Sequence, residues 1–238
     1  MKHQITVLHS KNEVKQMNYK VVEKFISING EGKSSGELSV FIRFAGCNLN
    51  CSYCDTKWAN EEKAPYSIMT EKEIYEYIKL AGIKNVTLTG GEPLLQEGML
   101  ALLKLLCSDE NLNIEIETNG SIPLKNFTTI KNHPPKFTMD YKLPCSNMEN
   151  HMITDNFNYL TKKDVIKFVV ANKNDLQKLK SIIYKYNLID KTNIYISPVY
   201  GEIEMNSIVE FMKENKLNGV TLQIQLHKII WDPNKRGV

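Results

Sequence analysis

Residues 46–56 read Gly-Cys-Asn-Leu-Asn-Cys-Ser-Tyr-Cys-Asp-Thr, and this stretch holds three of the five cysteines of the chain. Cys47, Cys51 and Cys54 follow the spacing C-x3-C-x2-C. Structural zinc takes four ligands, usually from two C-x-x-C pairs, and a 4Fe–4S cluster usually takes four thiolates. Three thiolates therefore predict a cluster with one iron free of protein ligands, and such an iron can bind a substrate or cofactor.

A zinc loop is the alternative that spacing alone leaves open. Its fourth ligand would lie far away in the sequence, at Cys107, Cys145 or a histidine. Cys107 falls on the apolar face of a predicted helix, which is typical of a core residue, and Cys145 follows Pro144 in a predicted loop. Two remaining cysteines are too few to hold a second cubane, so we predict no auxiliary cluster.

Length and composition exclude several classes of protein. The chain has 238 residues, of which 42% are hydrophobic and 24% charged, as in ordinary globular proteins. A net charge of +3 gives no reason to expect a nucleic-acid partner. No apolar run approaches the ~20 residues of a membrane span, and residues 1–20 lack the apolar region of a signal peptide. We therefore predict a cytoplasmic protein with no membrane partner, in whose reducing compartment clustered cysteines bind metal or act in redox chemistry.

Short β-branched runs alternate with amphipathic helical patterns along the chain. Strands are predicted at 21–28, 38–44, 85–89, 113–118, 136–141, 165–171, 193–197 and 220–225, and helices at 71–81, 96–108, 173–186 and 205–216. Thr70 and Glu73 form a capping box before the first of these helices, and Gly82 ends it. Such alternation predicts an α/β fold, an incomplete TIM-like (β/α)6 barrel. Residues 1–238 are expected to form one domain, with a short N-terminal extension over about residues 1–20.

Polar motifs follow successive predicted strands, where barrels of this kind carry their chemistry. They are Gly-Gly-Glu-Pro at 90–93, Glu-Thr-Asn-Gly at 117–120, Asp-Tyr-Lys at 140–142 and Ser-Pro at 197–198. Strand alternation places Glu115 and Glu117 on one face, and carboxylates inside a barrel need partners. Each motif also has a simpler explanation, as a turn, a solvated loop or solvent-facing acids.

The three-cysteine loop and Gly-Gly-Glu-Pro together resemble the radical S-adenosylmethionine (SAM) superfamily. The resemblance implies a 4Fe–4S cluster on Cys47, Cys51 and Cys54 whose open iron binds SAM. Reduction of that cluster cleaves SAM to methionine and a 5′-deoxyadenosyl radical. The residues that the resemblance assigns to cofactor binding are Tyr53, Cys54, Asp55, Gly90, Gly91, Glu92, Glu117, Asn119, Asp140, Tyr141, Lys142 and Ser197.

The sequence before the cysteines resembles one branch of that superfamily. Residues 25–32 read Phe-Ile-Ser-Ile-Asn-Gly-Glu-Gly, and residues 41–43 read Phe-Ile-Arg. These segments, the cysteine loop and Gln-Ile-Gln-Leu-His-Lys at 223–228 are similar to the 7-carboxy-7-deazaguanine synthase family, above all to its clostridial members. The resemblance implies a radical SAM lyase of queuosine and 7-deazapurine biosynthesis. That lyase converts 6-carboxy-5,6,7,8-tetrahydropterin to 7-carboxy-7-deazaguanine with loss of ammonia.

The same resemblance implies a set of substrate contacts and partners. Substrate binding is assigned to Ile28, Asn29, Gly30, Glu31, Arg43, Thr89 and His227, and Mg²⁺ binding to Thr56. A guanidinium such as that of Arg43 binds a carboxylate in a bidentate manner, whereas Glu31, Thr56 and His227 also suit plain structural roles. A homodimer and an electron donor such as flavodoxin or ferredoxin are expected by analogy.

Two features depart from the family pattern. Asn29 stands where the family usually has glutamine. The chain continues through residues 231–238 after His227, whereas relatives can end a few residues after this histidine with a terminal carboxylate near the substrate, so that contact is not carried over.

Two other functions remain open. A glycyl-radical activase, such as that of anaerobic ribonucleotide reductase, shares the cysteine loop and a similar size, but it gives residues 29–32 and Arg43 no purpose. A non-catalytic zinc or redox-cluster module is the alternative from another class. Iron and sulfide analysis separates the module from the enzymes.

Overall fold

A computed structural model gives the structure of residues 16–61 and 63–238. The nine strands are β1 (Asn18–Ile28), β2 (Leu38–Phe44), β3 (Ser67–Thr70), β4 (Asn85–Gly90), β5 (Asn113–Thr118), β6 (Lys136–Tyr141), β7 (Val165–Val170), β8 (Asn193–Pro198) and β9 (Val220–Leu222). The helices are α1 (Lys57–Asn60), α2 (Glu71–Ala81), α3 (Met99–Leu106), α4 (Lys173–Lys185), α5 (Leu188–Lys191), α6 (Met205–Glu214) and α7 (Leu226–Ile230).

The strands form one sheet in the order β3-β1-β2-β4-β5-β6-β7-β8-β9. In this spatial order, every neighbouring pair between β2 and β9 is parallel. At the other end of the sheet, β1 pairs with β2 and with β3, and both pairs are antiparallel. The buried apolar side chains of the strands and of α2, α3, α4 and α6 form one core. This architecture confirms the predicted incomplete TIM-like barrel, and it brings the carboxyl ends of the parallel strands to one edge of the sheet.

Helix boundaries set by local chemistry agree with prediction. Thr70 Oγ1 accepts a hydrogen bond from the Glu73 amide at 3.2 Å, and the Thr70 amide donates to Glu73 Oε2 at 2.8 Å. Gly82 ends α2 with a positive φ of 68°. Cys107 is buried in the core behind α3, as predicted. No helix in the described part of the chain is both long and apolar enough to cross a membrane.

Several boundaries differ from the sequence prediction. β1 begins at Asn18, inside the predicted N-terminal extension, because it pairs with the four-residue strand β3, whose short and partly exposed sequence gives little signal. The remaining extension, residues 1–15, lies outside the described residues. α3 is shorter than predicted because Gly98, with φ of 82°, stands at its N-cap. β9 ends at Leu222, although the Gln223 amide still donates to the Ile196 carbonyl of β8 at 2.8 Å. The Gln223 side chain binds the backbone of Gly32.

The connections on either side of β6 contain no α-helix, unlike those of a regular (β/α) barrel. Short 3-10 turns at Leu124–Thr129, Pro144–Ser146, Glu149–His151 and Thr154–Asn158 replace it. Prolines at 123, 134, 135 and 144 explain this difference, because proline lacks a backbone donor and restricts the residue before it.

Candidate active site

A cavity of about 680 Å³ lies at the carboxyl ends of the parallel strands. Most of the predicted site residues line it, although they come from distant parts of the sequence. Those residues are Ile28, Gly30, Glu31, Arg43, Cys47, Cys51, Tyr53, Cys54, Asp55, Thr56, Thr89, Gly90, Gly91, Glu117, Asn119, Asp140, Lys142 and His227. The sheet therefore joins the cysteine loop and the segment after β1 in one site.

Hydrogen-bonding groups lie next to the sulfur atoms of Cys47 and Cys54. The Leu49 amide and Asn119 Nδ2 donate to Cys47 Sγ at 3.4 and 3.5 Å. Thr56 Oγ1 and Cys54 Sγ share a hydrogen bond at 3.6 Å. Donors of this kind stabilise sulfur that carries negative charge, which is the form that binds iron.

Loops after β5 and β6 fix the position of the cysteine loop. Asn48 Nδ2 donates to Ser121 Oγ at 2.7 Å. Ser52 Oγ donates to the Cys145 carbonyl at 2.6 Å, and the Ser52 amide donates to the Ser146 carbonyl at 3.2 Å. These contacts join residues about 70 to 90 positions apart, and no local pattern predicts them.

Cys47, Cys51 and Cys54 all line the cavity. Three thiolates suit a cluster in which each thiolate binds a different iron. Burial raises the pKa of the Cys47 and Cys51 thiols, so cluster loading has to displace their protons.

The cavity wall near the cysteines carries unsatisfied polar atoms. The hydroxyl of Tyr53, Oδ1 of Asn60 and Oδ1 of Asp140 are buried and have no partner within the described residues. Buried polar groups are normally hydrogen-bonded. These atoms therefore fit a polar cofactor such as SAM beside the cluster.

Gly90 and Gly91 are needed for contacts within the protein itself. A Cβ on Gly90 would stand 2.3 Å from the Phe44 carbonyl oxygen. A Cβ on Gly91 would stand 2.1 Å from the Gly46 carbonyl oxygen and 2.2 Å from Asn60 Oδ1. The sequence predicted that both glycines let a ligand approach the backbone. In the structure they also let the ends of β4 and β2 approach each other next to Cys47.

Glu92 lies behind the cavity wall and does not line it. Its carboxylate accepts hydrogen bonds from the Leu94 amide at 3.0 Å, Thr118 Oγ1 at 2.9 Å and the Asn119 amide at 2.6 Å. Burial raises the pKa of Glu92 to about 7. This position does not support the predicted direct contact of Glu92 with a cofactor. Glu92 instead holds Asn119, which in turn contacts Cys47.

Asp140 and Lys142 line the cavity with the cysteines, and both lie near Cys51. Lys142 Nζ stands 2.7 Å from Asp140 Oδ2 and 5.7 Å from the centre of the Tyr53 ring. Burial alone would lower the pKa of Lys142, but the Asp140 carboxylate raises it. Tyr141, between them, points to the other face of β6 and packs against Phe157 in the core. The prediction of a Tyr141 side-chain contact with the cofactor is therefore not supported by its position.

Glu31 is the centre of a second buried polar group that lines the cavity. Ser197 Oγ donates to its Oε1 at 2.7 Å, and Lys167 Nζ and Gln225 Nε2 donate to its Oε2 at 3.0 and 3.3 Å. Burial would raise the pKa of Glu31, but the Lys167 ammonium and these hydrogen bonds lower it to about 2. Ser197, predicted to contact the cofactor, is fully buried and contacts Glu31 instead.

Asn29 is also buried outside the cavity lining. Its Oδ1 accepts a hydrogen bond from Thr87 Oγ1 at 2.9 Å, while its Nδ2 has no partner in the described part of the chain. The predicted side-chain contact between Asn29 and substrate is corrected accordingly. Gly30 follows it and faces His227, whose Nδ1 would stand 2.2 Å from a Cβ at that position.

Arg43 lines the cavity together with an aromatic pair. Its Nε donates to Glu23 Oε2 at 3.0 Å, and its guanidinium lies 5.9 Å from the centre of the Phe25 ring. The rings of Phe25 and Phe41 stack with centres 4.9 Å apart. This wall combines a cation with flat apolar surface, which suits a planar ligand that carries a carboxylate.

Two further parts of the chain contribute to the site and were not predicted from the sequence. Lys167 is the one charged residue of the apolar strand β7. A lone charge among apolar residues is a signal that could have identified it. Residues 233–238 also line the cavity. In this segment Arg236 lies 4.1 Å from the centre of the Trp58 ring, and Lys228 stands 3.6 Å from Asp55 Oδ2 nearby.

Replacing Glu115 with glutamine is expected to stabilise the protein at neutral and higher pH. Burial raises the pKa of Glu115 to about 7, while Thr138 Oγ1 donates to its carboxyl at 2.6 Å. Ionisation in the folded state therefore costs stability as pH rises above the ordinary value of 4.5, and the cost levels off above about 7. Glutamine keeps an acceptor for Thr138 without the charge. The expected gain is about 1–3 kcal/mol near pH 8 and close to zero near pH 4.5.

Urea unfolding of the anaerobic protein across this pH range measures the effect. The control variant Glu214→Gln removes a charge from an exposed position on α6. An equal gain for Glu115→Gln at both ends of the pH range would contradict the buried-charge explanation.

Comparison with known proteins gives a consistent result. Residues 41–141 match the family model of the radical SAM superfamily. The chain is 69% identical to the 7-carboxy-7-deazaguanine synthase of Clostridium acetobutylicum, over 93% of this chain and 100% of that protein. It is 36% identical to the synthase of Chlorobaculum tepidum, over 92% and 96% of the two chains. The crystal structure of QueE from Escherichia coli shares the fold, with a TM-score of 0.67, 21% identity and coverage of 87% and 94%.

Proposed function

This chain belongs to the 7-carboxy-7-deazaguanine synthase family of the radical SAM superfamily, and we propose that it converts 6-carboxy-5,6,7,8-tetrahydropterin to 7-carboxy-7-deazaguanine with loss of ammonia. The observation that carries the proposal is one cavity that joins the three thiols to Arg43 and Glu31. A cation and a buried carboxylate suit the carboxylate and the N–H edge of this substrate. A glycyl-radical activase, which acts on a protein backbone, gives these two residues no task.

The family uses a 4Fe–4S cluster and SAM. When bound, they supply the 5′-deoxyadenosyl radical that starts the reaction. Cys47, Cys51 and Cys54 would hold the cluster, while Asp140, Lys142 and Tyr53 would orient SAM through the polar atoms described above. The protein thereby fixes which substrate atom faces the radical.

The substrate side of the cavity is proposed to bind by charge and shape. Arg43 would bind the carboxylate, and Phe25 and Phe41 would provide a flat apolar wall. Glu31 would accept N–H groups from the amide–amidine edge of the pterin. Burial lowers the pKa of His227, which favours the neutral imidazole beside Gly30 as a hydrogen-bonding group for substrate.

We further propose that Thr56 contributes to a Mg²⁺ site at the substrate carboxylate. Thr56 occupies the N-cap position of α1, yet its side chain makes no capping hydrogen bond. Thr56 lines the cavity, and its hydroxyl oxygen, which also shares the 3.6 Å hydrogen bond with Cys54 Sγ, is a ligand of the kind that Mg²⁺ prefers.

Thr56→Ala is expected to weaken binding of the Mg²⁺ that supports turnover, because one of the proposed oxygen ligands is lost. The concentration of Mg²⁺ that gives half-maximal rate should rise about 10-fold or more. Thr70→Ala provides a matched control at a helix cap remote from the cavity. An unchanged Mg²⁺ titration for Thr56→Ala would reject the assignment.

The function is tested with anaerobically purified protein. Iron and sulfide should each approach about four per chain, as expected for one cubane. The reduced protein with SAM, Mg²⁺ and carboxytetrahydropterin should form the deazaguanine product. Zinc as the sole metal would reject the enzyme assignment, and activation of a glycyl-radical partner without product formation would favour the activase.

Other features of the family are proposed on analogy. We propose that the chain forms a single catalytic domain, acts as a cytoplasmic homodimer and receives electrons from a flavodoxin or ferredoxin. Size-exclusion chromatography with light scattering tests the oligomeric state, and reduction assays with each donor test the electron source.

A further inference from the structure

Lys167 is a buried lysine that faces the cavity from the middle of β7. Its side chain is 12% exposed, and its neighbours along the strand are apolar. A buried ammonium is costly unless it is paired. Two carboxylates provide the pairing, since Lys167 Nζ stands 3.0 Å from Glu31 Oε2 and 3.9 Å from Asp140 Oδ2. The lysine therefore lies between the substrate side and the cofactor side of the site.

The two carboxylates depend on Lys167 to different degrees. Asp140 has a closer cation, because Lys142 Nζ stands 2.7 Å from its Oδ2. Within the described residues, Lys167 is the only cation at salt-bridge distance from Glu31. The other donors to Glu31, Ser197 and Gln225, are neutral. Loss of the ammonium would thus leave Glu31 as a buried charge without a counterion, whereas Asp140 would keep its partner.

We propose that Lys167 is a positioning residue for the substrate, which keeps the Glu31 carboxylate ionised and aimed into the cavity to accept the N–H edge of the pterin. The inference rests on the proposed function and adds a residue to it. An ionised carboxylate accepts hydrogen bonds through both oxygens, but a protonated one presents a donor on one of them. A ring edge with two adjacent N–H groups therefore needs the ionised form.

The charge state of Glu31 agrees with this geometry. Its pKa lies at about 2 although burial opposes ionisation, and the Lys167 ammonium is the largest influence in the lowering direction. Ser197 on Oε1 and Lys167 with Gln225 on Oε2 also hold the carboxylate at both ends. Orientation and ionisation consequently depend on the same set of contacts.

The test compares Lys167→Met and Lys167→Arg with wild type, using the holoenzyme with its cluster loaded. Without reductant, anaerobic titration calorimetry measures binding of carboxytetrahydropterin and, separately, of SAM. Lys167→Met should weaken pterin binding about 10- to 100-fold, as is typical when a supporting residue of a site is removed. SAM binding should change much less because Lys142 still pairs with Asp140. Lys167→Arg should recover much of the pterin affinity.

Lys163→Met is the matched control, because its Nζ contacts the Pro135 carbonyl away from the cavity. A second comparison uses Glu31→Gln, which removes the charge that Lys167 serves. In that background Lys167→Met should cost little further pterin affinity. A loss confined to kcat with unchanged pterin KM, or an equal weakening of SAM and pterin binding, would overturn the inference.

The outcomes also separate this inference from the proposed function. If wild-type protein binds and converts the pterin while Lys167→Met binds it equally well, only the role of Lys167 is rejected. If wild-type protein neither binds nor converts the pterin, the proposed function and the inference that rests on it are both rejected.

Discussion

Alanine at Cys47, Cys51 or Cys54 is expected to abolish SAM cleavage in each of the three single variants. Each cysteine is taken to bind a different iron, so one loss leaves a cubane with too few thiolates to hold it in the protein. Iron and sulfide per chain should fall far below the wild-type values. Production of 5′-deoxyadenosine in the presence of reductant should drop to background. Metal analysis and chromatographic detection of 5′-deoxyadenosine measure the two effects.

The two remaining cysteines provide controls of the same chemical type. Cys107→Ala removes a buried core thiol, and Cys145→Ala removes a thiol whose pKa burial raises to about 12. Both variants should keep the cluster and cleave SAM, although Cys107→Ala is expected to lose about 1 kcal/mol of stability. SAM cleavage at the wild-type rate by any variant of the three-cysteine set would disprove the cluster assignment.

Much of this site could be predicted because its motifs are local. The cysteine loop, Gly-Gly-Glu-Pro and the segment around Glu31 are each contiguous in the sequence and follow a strand. Parallel strands place the cysteine loop and Gly-Gly-Glu-Pro at one edge of the sheet. The segment around Glu31 reaches the cavity from the other edge, because β1 is antiparallel to β2 and ends beside Leu38, where β2 begins. The α/β class and most strand positions followed from the same periodic patterns, and the structure agrees with them.

The roles of individual side chains were harder to predict, because they depend on which face of a strand is buried and on distant partners. Asp140 and Lys142 face the cavity, whereas Tyr141 between them faces the core. Ser197 and Lys167 meet Glu31 across about 140 to 170 residues of sequence. No local pattern reports such contacts.

The C-terminal segment illustrates the same limit. In sequence, residues 231–238 are recognisable only as a departure from the family pattern. In the structure residues 233–238 line the cavity, and Arg236 packs over Trp58 of α1. The position of this segment follows from the contacts of α7 with residues near Glu31, such as the hydrogen bond from the Leu226 amide to the Gly30 carbonyl at 3.1 Å.

A methyl group on Gly91 is expected to reduce both cluster loading and stability, although Gly91 lies on the cavity wall and bears no chemical group of its own. Its Cβ would meet the Gly46 carbonyl oxygen at 2.1 Å and Asn60 Oδ1 at 2.2 Å. Such distances require the backbone to move, and Gly46 directly precedes Cys47. We expect Gly91→Ala to lose about 1–3 kcal/mol of folding free energy. The displaced loop should also retain much less iron than wild type.

Gly201→Ala separates this steric effect from backbone strain. Gly201 has a φ of 80°, and a Cβ there would meet nothing within 4 Å. That variant should lose about 1 kcal/mol of folding free energy, because alanine disfavours the left-handed backbone conformation. It should keep its iron. Urea unfolding and iron analysis of both variants give the comparison. Full iron content and wild-type SAM cleavage in Gly91→Ala would show that the ends of β2 and β4 tolerate separation. The close approach of these two strand ends would then have no part in holding the cluster loop, and the glycines of this motif would have to be explained by contact with the cofactor alone.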